Sequence, residues 1–500
     1  MGITAFAALT WNLDRPALWL DESASLVATQ RTWPHLWTLV HGAEAPLVPY
    51  YALLKVATVA LTDVPPEVRY RWPSVAVSVL TMWALTLWLA RRASVEVAVL
   101  AGVVLLLITG FSRYGQEARP YAFALAAAVA GTMLWTRLVG DRRRRWVPVY
   151  AVSVSLLAFA HVFALALVGA HVVAAAFATP RPGRRSALLR TGVGASLGVA
   201  AAAPFVLVAA RNGRGTSVDK PLTLQHMAGA FAQVLNESWF VPGLSVVSLL
   251  AAVGATRAFS ATYRDIARLA LAWALVPLVV TVPVIVLRPN LMMGRYLLFV
   301  VPAWAILGGL GIVTLAEQVS RVRGRRAAVV AAVLVVGVLG VAQLEALRLV
   351  RSPAGHGEDV RPALAGLRRE GRQQLPIVVP ERTLPLEFVP YDPDAASRVA
   401  GVHLQRRLRS IWPAEDRLLA RQRLLRGHPT VVLLMRAPLE GTCRWQAPGS
   451  PLEYVRRCMP KVLRDMGYQV VSAEREGRRW VSALLTRATQ PGSSVRARVR

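Results

Sequence analysis

A multi-pass α-helical membrane protein of about 11 transmembrane helices, closed by a C-terminal extracytoplasmic α/β domain, is the fold class this sequence predicts. Three observations carry it. Of the 500 residues, 55% are hydrophobic. Apolar runs of the length that crosses ~30 Å of hydrocarbon recur up to residue 350 and then stop. Arginines gather in short clusters between those runs, as they do in loops retained on the cytoplasmic side. A formal net charge of +30 suggests nucleic acid only when it sits on a water-soluble domain, and here it does not, so no nucleic-acid partner is expected.

The chain opens with "MGITAFAALTW", about half a span, with no cleavable signal peptide. The runs that follow cover 74–90, 95–111, 120–138, 147–160, 162–178, 190–210, 241–256, 267–287, 296–316 and 327–349. One further run, 46–62, carries Lys55 in its middle and prolines at 46 and 49. Charge decides its place. If "LARRAS" is inside and the chain alternates from there, Arg142–Arg145, then Arg181, Arg184, Arg185 and Arg190, then Arg257, Arg264 and Arg268, and finally "RVRGRR" (321–326) all fall inside. On that parity 11–73 is an outer loop, 46–62 lies in the outer interface without crossing, and Lys55 snorkels to headgroups. Residues 1–350 are then a transmembrane domain, the part expected to carry any catalytic site.

Residues 351–487 hold the strand-like stretches 376–380, 430–435 and 480–485, and 452–468 reads as an amphipathic helix, which together predict a small α/β domain. The tail 488–500 has no core-forming residues and reads as disordered. The two cysteines, Cys443 and Cys458, are too few for a metal framework and predict a disulfide.

The outer loops collect the chemistry. The first holds Asp21, Glu22, His41 and Glu44; the next, "SRYGQEARPYAF", holds Arg113, Gln116, Glu117, Arg119 and Tyr121. His161 sits where two helices meet and reads first as a buried polar residue. Later outer loops add Arg211, Arg214, Lys220, Gln225, His226, Asn236 and Glu237, then Arg288, Asn290, Arg295 and Tyr296. Charges at the edge of hydrocarbon are costly unless paired or used, so their convergence predicts a cavity for an anionic ligand. Outside the cytoplasm an activated group must come from a lipid carrier such as a polyprenyl phosphate. Sugar transfer from such a carrier needs a carboxylate to take the acceptor's proton and cations to stabilise the departing phosphate.

The stretches "LWLDESAS", "EAPLVPYY", "RWPSV", "SRYGQEARPYAF" and "GRYLLFVVPAW", in that order, resemble the GT-C glycosyltransferases of family 39, which include protein O-mannosyltransferases and the bacterial aminoarabinose transferase. The resemblance covers about residues 11–310. It implies an inverting transferase using a polyprenyl-phosphate sugar, with Asp21 as catalytic base and Glu22 its neighbour in the motif. It makes Arg119 and Arg295 phosphate or pocket residues, with Tyr296, Glu44, Glu117, Tyr121 and His41 around the donor. Glu44 stands where family members often have Asp, and the usual double proline is reduced to Ala45 and Pro46.

Plainer roles stand beside these. Asp21 and Glu22 favour a helix N-terminus, Glu117 and Arg119 can hold a loop as a pair, and Arg295 with Tyr296 suits an interfacial anchor. A divalent metal, Mg or Mn, at Asp21 and Glu44 with His41 is a sparse ligand set. The Arg-, Ala- and Val-rich, high-GC composition looks actinobacterial, which makes mannose or arabinose the leading sugar and a cell-envelope glycan, glycolipid or protein the acceptor. The alternatives are a polytopic transporter or lipid flippase, which would show charges within its spans and internal repeats, and an envelope scaffold.

Overall fold

The computed structural model describes the chain except residues 142, 144, 179–180, 213–228, 230–231, 233–234, 236–241, 261, 288–293, 358, 381–383, 401, 404–409, 411–413, 416–424, 426, 437–449, 477–479 and 488–500. Several expectations lie outside the described residues: Arg142, Arg144, Arg214, Lys220, Gln225, His226, Asn236, Glu237, Arg288, Asn290, the tail, and Cys443 with the disulfide it would complete.

Along the chain, besides the short helical turns Trp33–Trp37 and Pro393–Ser397, the described helices are α1 (Gly2–Thr10), α2 (Leu20–Gln30), α3 (Val48–Thr58), α4 (Pro66–Arg92), α5 (Val95–Leu107), α6 (Thr109–Tyr114), α7 (Tyr121–Gly140), α8 (Trp146–Ala160), α9 (Ala166–Ala178), α10 (Arg181–Asn212), α11 (Pro242–Ala255), α12 (Arg264–Leu287), α13 (Val301–Val350), α14 (Arg361–Arg369), α15 (Leu384–Phe388), α16 (Pro451–Cys458) and α17 (Lys461–Asp465). Among the described residues, five stretches are long and apolar enough to cross a membrane: Pro66–Arg92, Tyr121–Gly140, Gly183–Asn212, Arg264–Pro283 and Gly294–Val350. Helix α3 has 11 residues. At 1.5 Å per residue that is about 16 Å, too short to cross.

The chain divides into two compact units, Met1–Pro16 with Thr32–Gly355, and Ala17–Arg31 with His356–Arg500. Helix α2 therefore groups with the C-terminal residues, although in sequence it lies inside the 11–73 loop.

In the first unit α13 runs against α11 and α5. Small residues make the closest crossings. A Cβ on Gly254 would lie 1.9 Å from the Leu307 carbonyl oxygen, and one on Gly311 would lie 2.0 Å from that of Leu250. Such backbone contact is how helices associate where no hydrophobic force separates protein from lipid. Helix α13 contains one break: Gly324 has φ +81, a left-handed value suited to glycine, and it divides the runs expected at 296–316 and 327–349.

A polar bracket that the sequence did not reveal joins four helices of this unit. His171 of α9 lies 3.1 Å through Nε2 from Thr132 Oγ1 of α7, and 2.8 Å through Nδ1 from Tyr150 Oη of α8. Trp135 stacks on the His171 ring at 5.1 Å and donates through Nε1 to Thr191 Oγ1 of α10 at 3.1 Å. Buried polar groups in such a bundle need partners, and these partners come from neighbouring helices.

The second unit contains a four-stranded sheet of β1 (Ile377–Val378), β2 (Thr430–Arg436), β3 (Tyr468–Glu476) and β4 (Trp480–Arg487), in spatial order β1-β2-β4-β3. Strand β1 pairs parallel to β2, with Ile377 opposite Val432; the other pairs are antiparallel, with Val432 opposite Leu484 and Val470 opposite Leu485. Residues 431–435 of β2 are all buried, which marks a central strand covered on both faces. One face packs Val431, Leu433 and Met435 with Tyr454 and Val455 of α16. The single amphipathic helix expected over 452–468 is corrected here. It breaks at Met459, whose ψ of 133° is the extended geometry imposed by the following Pro460, and β3 starts at Tyr468.

Candidate functional site

Each unit holds part of the predicted set. In the second unit, Asp21 and Glu22 occupy the first turn of α2, where carboxylates interact favourably with the helix dipole. The N-cap residue, Trp19, makes no side-chain capping hydrogen bond. Glu22 is 0% exposed and Asp21 9%, a difference that separates two adjacent acids. The Glu22 Oε2 lies 3.7 Å from Nδ1 of the fully buried His356. Ser25 Oγ donates to the Asp21 carbonyl at 3.2 Å, and Tyr391 Oη accepts from the Leu18 N–H at 2.7 Å. Helix α15 packs on α2 and carries a further buried acid, Glu387.

In the first unit, Glu44 caps a 3₁₀ turn, Ala45–Leu47, that leads into α3. Its Oε2 accepts from the buried Tyr51 Oη at 2.7 Å, and Arg119 Nη1 donates to the same Tyr51 oxygen at 3.3 Å. A phenol has one proton to give. Tyr51 therefore accepts from the guanidinium and donates to the carboxylate, which fixes the direction of the chain Arg119–Tyr51–Glu44. Burial, and then the Glu44 charge, push the Tyr51 hydroxyl well above its usual range, so it stays a neutral donor.

The loop between α6 and α7 is held separately. Arg113 Nε donates to the buried Glu117 Oε1 at 3.2 Å, and Ser74 Oγ of the "RWPSV" stretch donates to the Glu117 carbonyl at 2.6 Å. Glu117 thus anchors the loop that presents Arg119 and Tyr121.

Tyr121, His161 and Tyr296 form an aromatic cluster: His161 lies 4.4 Å from Tyr296 and 6.3 Å from Tyr121, centroid to centroid. Arg295 lies over the Tyr296 ring at 5.8 Å. Burial first, then the charges of Arg295 and Arg119, push the His161 imidazole down to about 3. The cluster therefore pairs two permanent cations with an uncharged ring. Because the folded value lies below that of a free histidine, near 6.5, the unfolded chain binds the proton first. Stability from this group is whole above about pH 6.5 and is lost as pH falls toward 3. The apparent melting temperature of wild type is expected to drop between pH 6.5 and 4.5 by more than that of His161→Phe; parallel curves in a thermal-shift series would contradict this.

His41 ends a short 3₁₀ turn and is exposed. Among the described residues of the first unit, no three His, Cys, Asp or Glu side chains bring ligand atoms together; the one such group in the described chain is Glu370, Glu474 and Glu476 of the second unit. Of the predicted metal set, His41 and Glu44 lie in the first unit and Asp21 in the second.

Three residues were given no role by the sequence reading, although one of them, Arg71, opens the "RWPSV" stretch. Buried Arg71 donates through Nη1 to the Leu13 carbonyl at 2.9 Å and the Pro16 carbonyl at 2.8 Å. Buried Arg351 donates through Nη2 to the Ala8 carbonyl at 2.9 Å and to Ser112 Oγ at 2.7 Å. Together they hold the segment that precedes α2. The third is His356; only its place just beyond the last long apolar run could have marked it.

No family model matches the chain, and no curated protein sequence matches it. Solved structures do. ArnT from Cupriavidus metallidurans in the apo state aligns with a TM-score of 0.54 at 14% identity, over 96% of both chains. The same protein bound to undecaprenyl phosphate aligns with a TM-score of 0.50 at 15% identity, again over 96% of both. The arabinofuranosyltransferase AftD from Mycobacteria gives a TM-score of 0.48 at 15% identity, over 98% of this chain and 40% of its own. From its first helix to its C-terminal sheet, this chain has the GT-C fold of ArnT.

Proposed function

We propose that this protein is a membrane glycosyltransferase that moves a sugar from a polyprenyl phosphate to an acceptor hydroxyl at the outer face of the membrane, with inversion. The observation that carries the reading is the grouping of Arg119 and Arg295 about the uncharged His161, among Tyr51, Tyr121 and Tyr296. Two fixed cations beside an uncharged ring suit a phosphate, and one of the ArnT structures is described as bound to undecaprenyl phosphate.

In this mechanism the acceptor oxygen attacks the anomeric carbon as the bond to phosphate breaks. Asp21 takes the hydroxyl proton, and the two arginines stabilise the charge that builds on the departing phosphate. One displacement inverts the anomeric centre. The Arg119–Tyr51–Glu44 chain holds the first guanidinium in place. Mannose or arabinose is the sugar and a cell-envelope glycan, glycolipid or protein the acceptor. The reading takes the C-terminal unit to lie outside, which the clustering of arginines in alternate loops supports.

The test is transfer of label from radiolabelled decaprenyl-phosphate mannose, then decaprenyl-phosphate arabinose, to a membrane glycolipid extract by the purified chain in vesicles. Label in the acceptor supports the reading; none from either donor defeats it in favour of a transporter or flippase. Arg119→Ala and Arg295→Ala are each expected to raise the donor KM by about tenfold to hundredfold, the loss of one or two charge-assisted hydrogen bonds at ~1.5–3 kcal/mol. An unchanged donor KM in either variant would remove that arginine from the phosphate site.

A further inference from the structure

Helix α2 is attached to its own unit at three successive points. The Leu18 N–H donates to Tyr391 Oη at 2.7 Å. Trp19, the N-cap residue, lies so near Gly357 that a Cβ on that glycine would fall 2.6 Å from the Trp19 Cβ. Glu22 Oε2 lies 3.7 Å from His356 Nδ1, with both side chains fully buried. The dipeptide His356–Gly357 thus lies along the first turn of α2, its glycine allowing the approach and its histidine meeting the acid.

A carboxylate removed from water needs a partner, and Glu22 has one in His356. Successive helix positions are about 100° apart, so turning Glu22 inward determines where its neighbour points. Asp21 is the less deeply buried of the pair, 9% exposed against 0% for Glu22.

We propose that His356 is the positioning residue of this acid pair: by holding Glu22 inward it fixes the rotation of the first turn of α2 and leaves Asp21 as the single carboxylate presented for proton transfer. The proposal rests on the reading of Asp21 as base. Glu22, on this view, is a structural partner and not a second base.

The test uses the full chain in vesicles, with His356→Leu, Glu22→Leu, the double variant and the conservative His356→Gln, reading apparent melting temperature and transfer from decaprenyl-phosphate mannose or arabinose. Each single leucine variant is expected to lower the midpoint by about 5 °C or more, because it removes one side of a buried polar contact, and the double variant to fall no further than the worse single. His356→Gln is expected to keep the donor KM within about twofold while kcat falls about tenfold to hundredfold, the signature of a displaced catalytic group. Additive midpoints, or a His356→Leu enzyme with wild-type kcat, would overturn the proposal. If wild type transfers from neither donor, the glycosyltransferase reading fails by itself, and the midpoint cycle still decides whether the two side chains act as a pair.

Discussion

Replacing Asp21 by Asn is expected to lower sugar transfer by about 10³-fold without unfolding the protein. General-base catalysis contributes about 10²–10⁴-fold, and an amide of nearly the same shape cannot take the acceptor's proton. Shape matters because α2 is buried almost throughout, from Asp21 to Thr29. A smaller residue would confound lost chemistry with lost packing, and Asn limits the change to charge. The donor KM should move little, since the cations assigned to phosphate lie on other residues. Initial rates in vesicles, with circular dichroism to establish folding, give the comparison. Asp21→Asn with wild-type kcat would reduce Asp21 to a favourable charge at a helix N-terminus, the plainer role its first-turn position allows.

Among stability variants the largest loss is expected from Gly311→Val. Its new Cβ would meet the Leu250 carbonyl oxygen at 2.0 Å, and that oxygen belongs to a helix backbone that moves only as a whole. The reciprocal contact, Gly254 against the Leu307 carbonyl at 1.9 Å, shows that α11 and α13 touch backbone to backbone at both places. Relief means pulling the two helices apart and opening space along their crossing. Overpacking of cores costs about 1–3 kcal/mol even where side chains can yield. Here none can yield, so the variant should fail to give a monodisperse protein in detergent. Gly337→Ala and Gly340→Ala on the same long helix meet nothing within 4 Å. They are expected to be neutral or stabilising by about 0.5–1 kcal/mol, from helix propensity alone. Equal behaviour of Gly311→Val and Gly340→Ala on size-exclusion chromatography would refute the backbone-contact account.

The helical architecture was legible in the sequence because apolar runs and arginine clusters are properties of composition at a fixed period, and lipid makes both obligatory. Pro460 was equally visible, yet the run 452–468 reads as one helix until the residue before the proline is allowed its preferred extended geometry. Arg119 and Arg295 were selected by motif, and the structure brings both to His161. Other features depend on distance in space. No pattern near Asp21 announces His356, Tyr391 or Gly357. Likewise His171 reads as a lone polar residue in an apolar run until Thr132, Tyr150 and Trp135 arrive from other helices.

The grouping of Ala17–Arg31 with His356–Arg500 also carries a schedule. The proposed base is synthesised before the residues from His356 onward that share its unit. At about 5–20 residues per second, Asp21 waits on the order of 20–60 s for His356 to be synthesised. During that time α2 lacks His356, Gly357 and Tyr391. A chain that ends before His356 therefore carries the carboxylate without these neighbours.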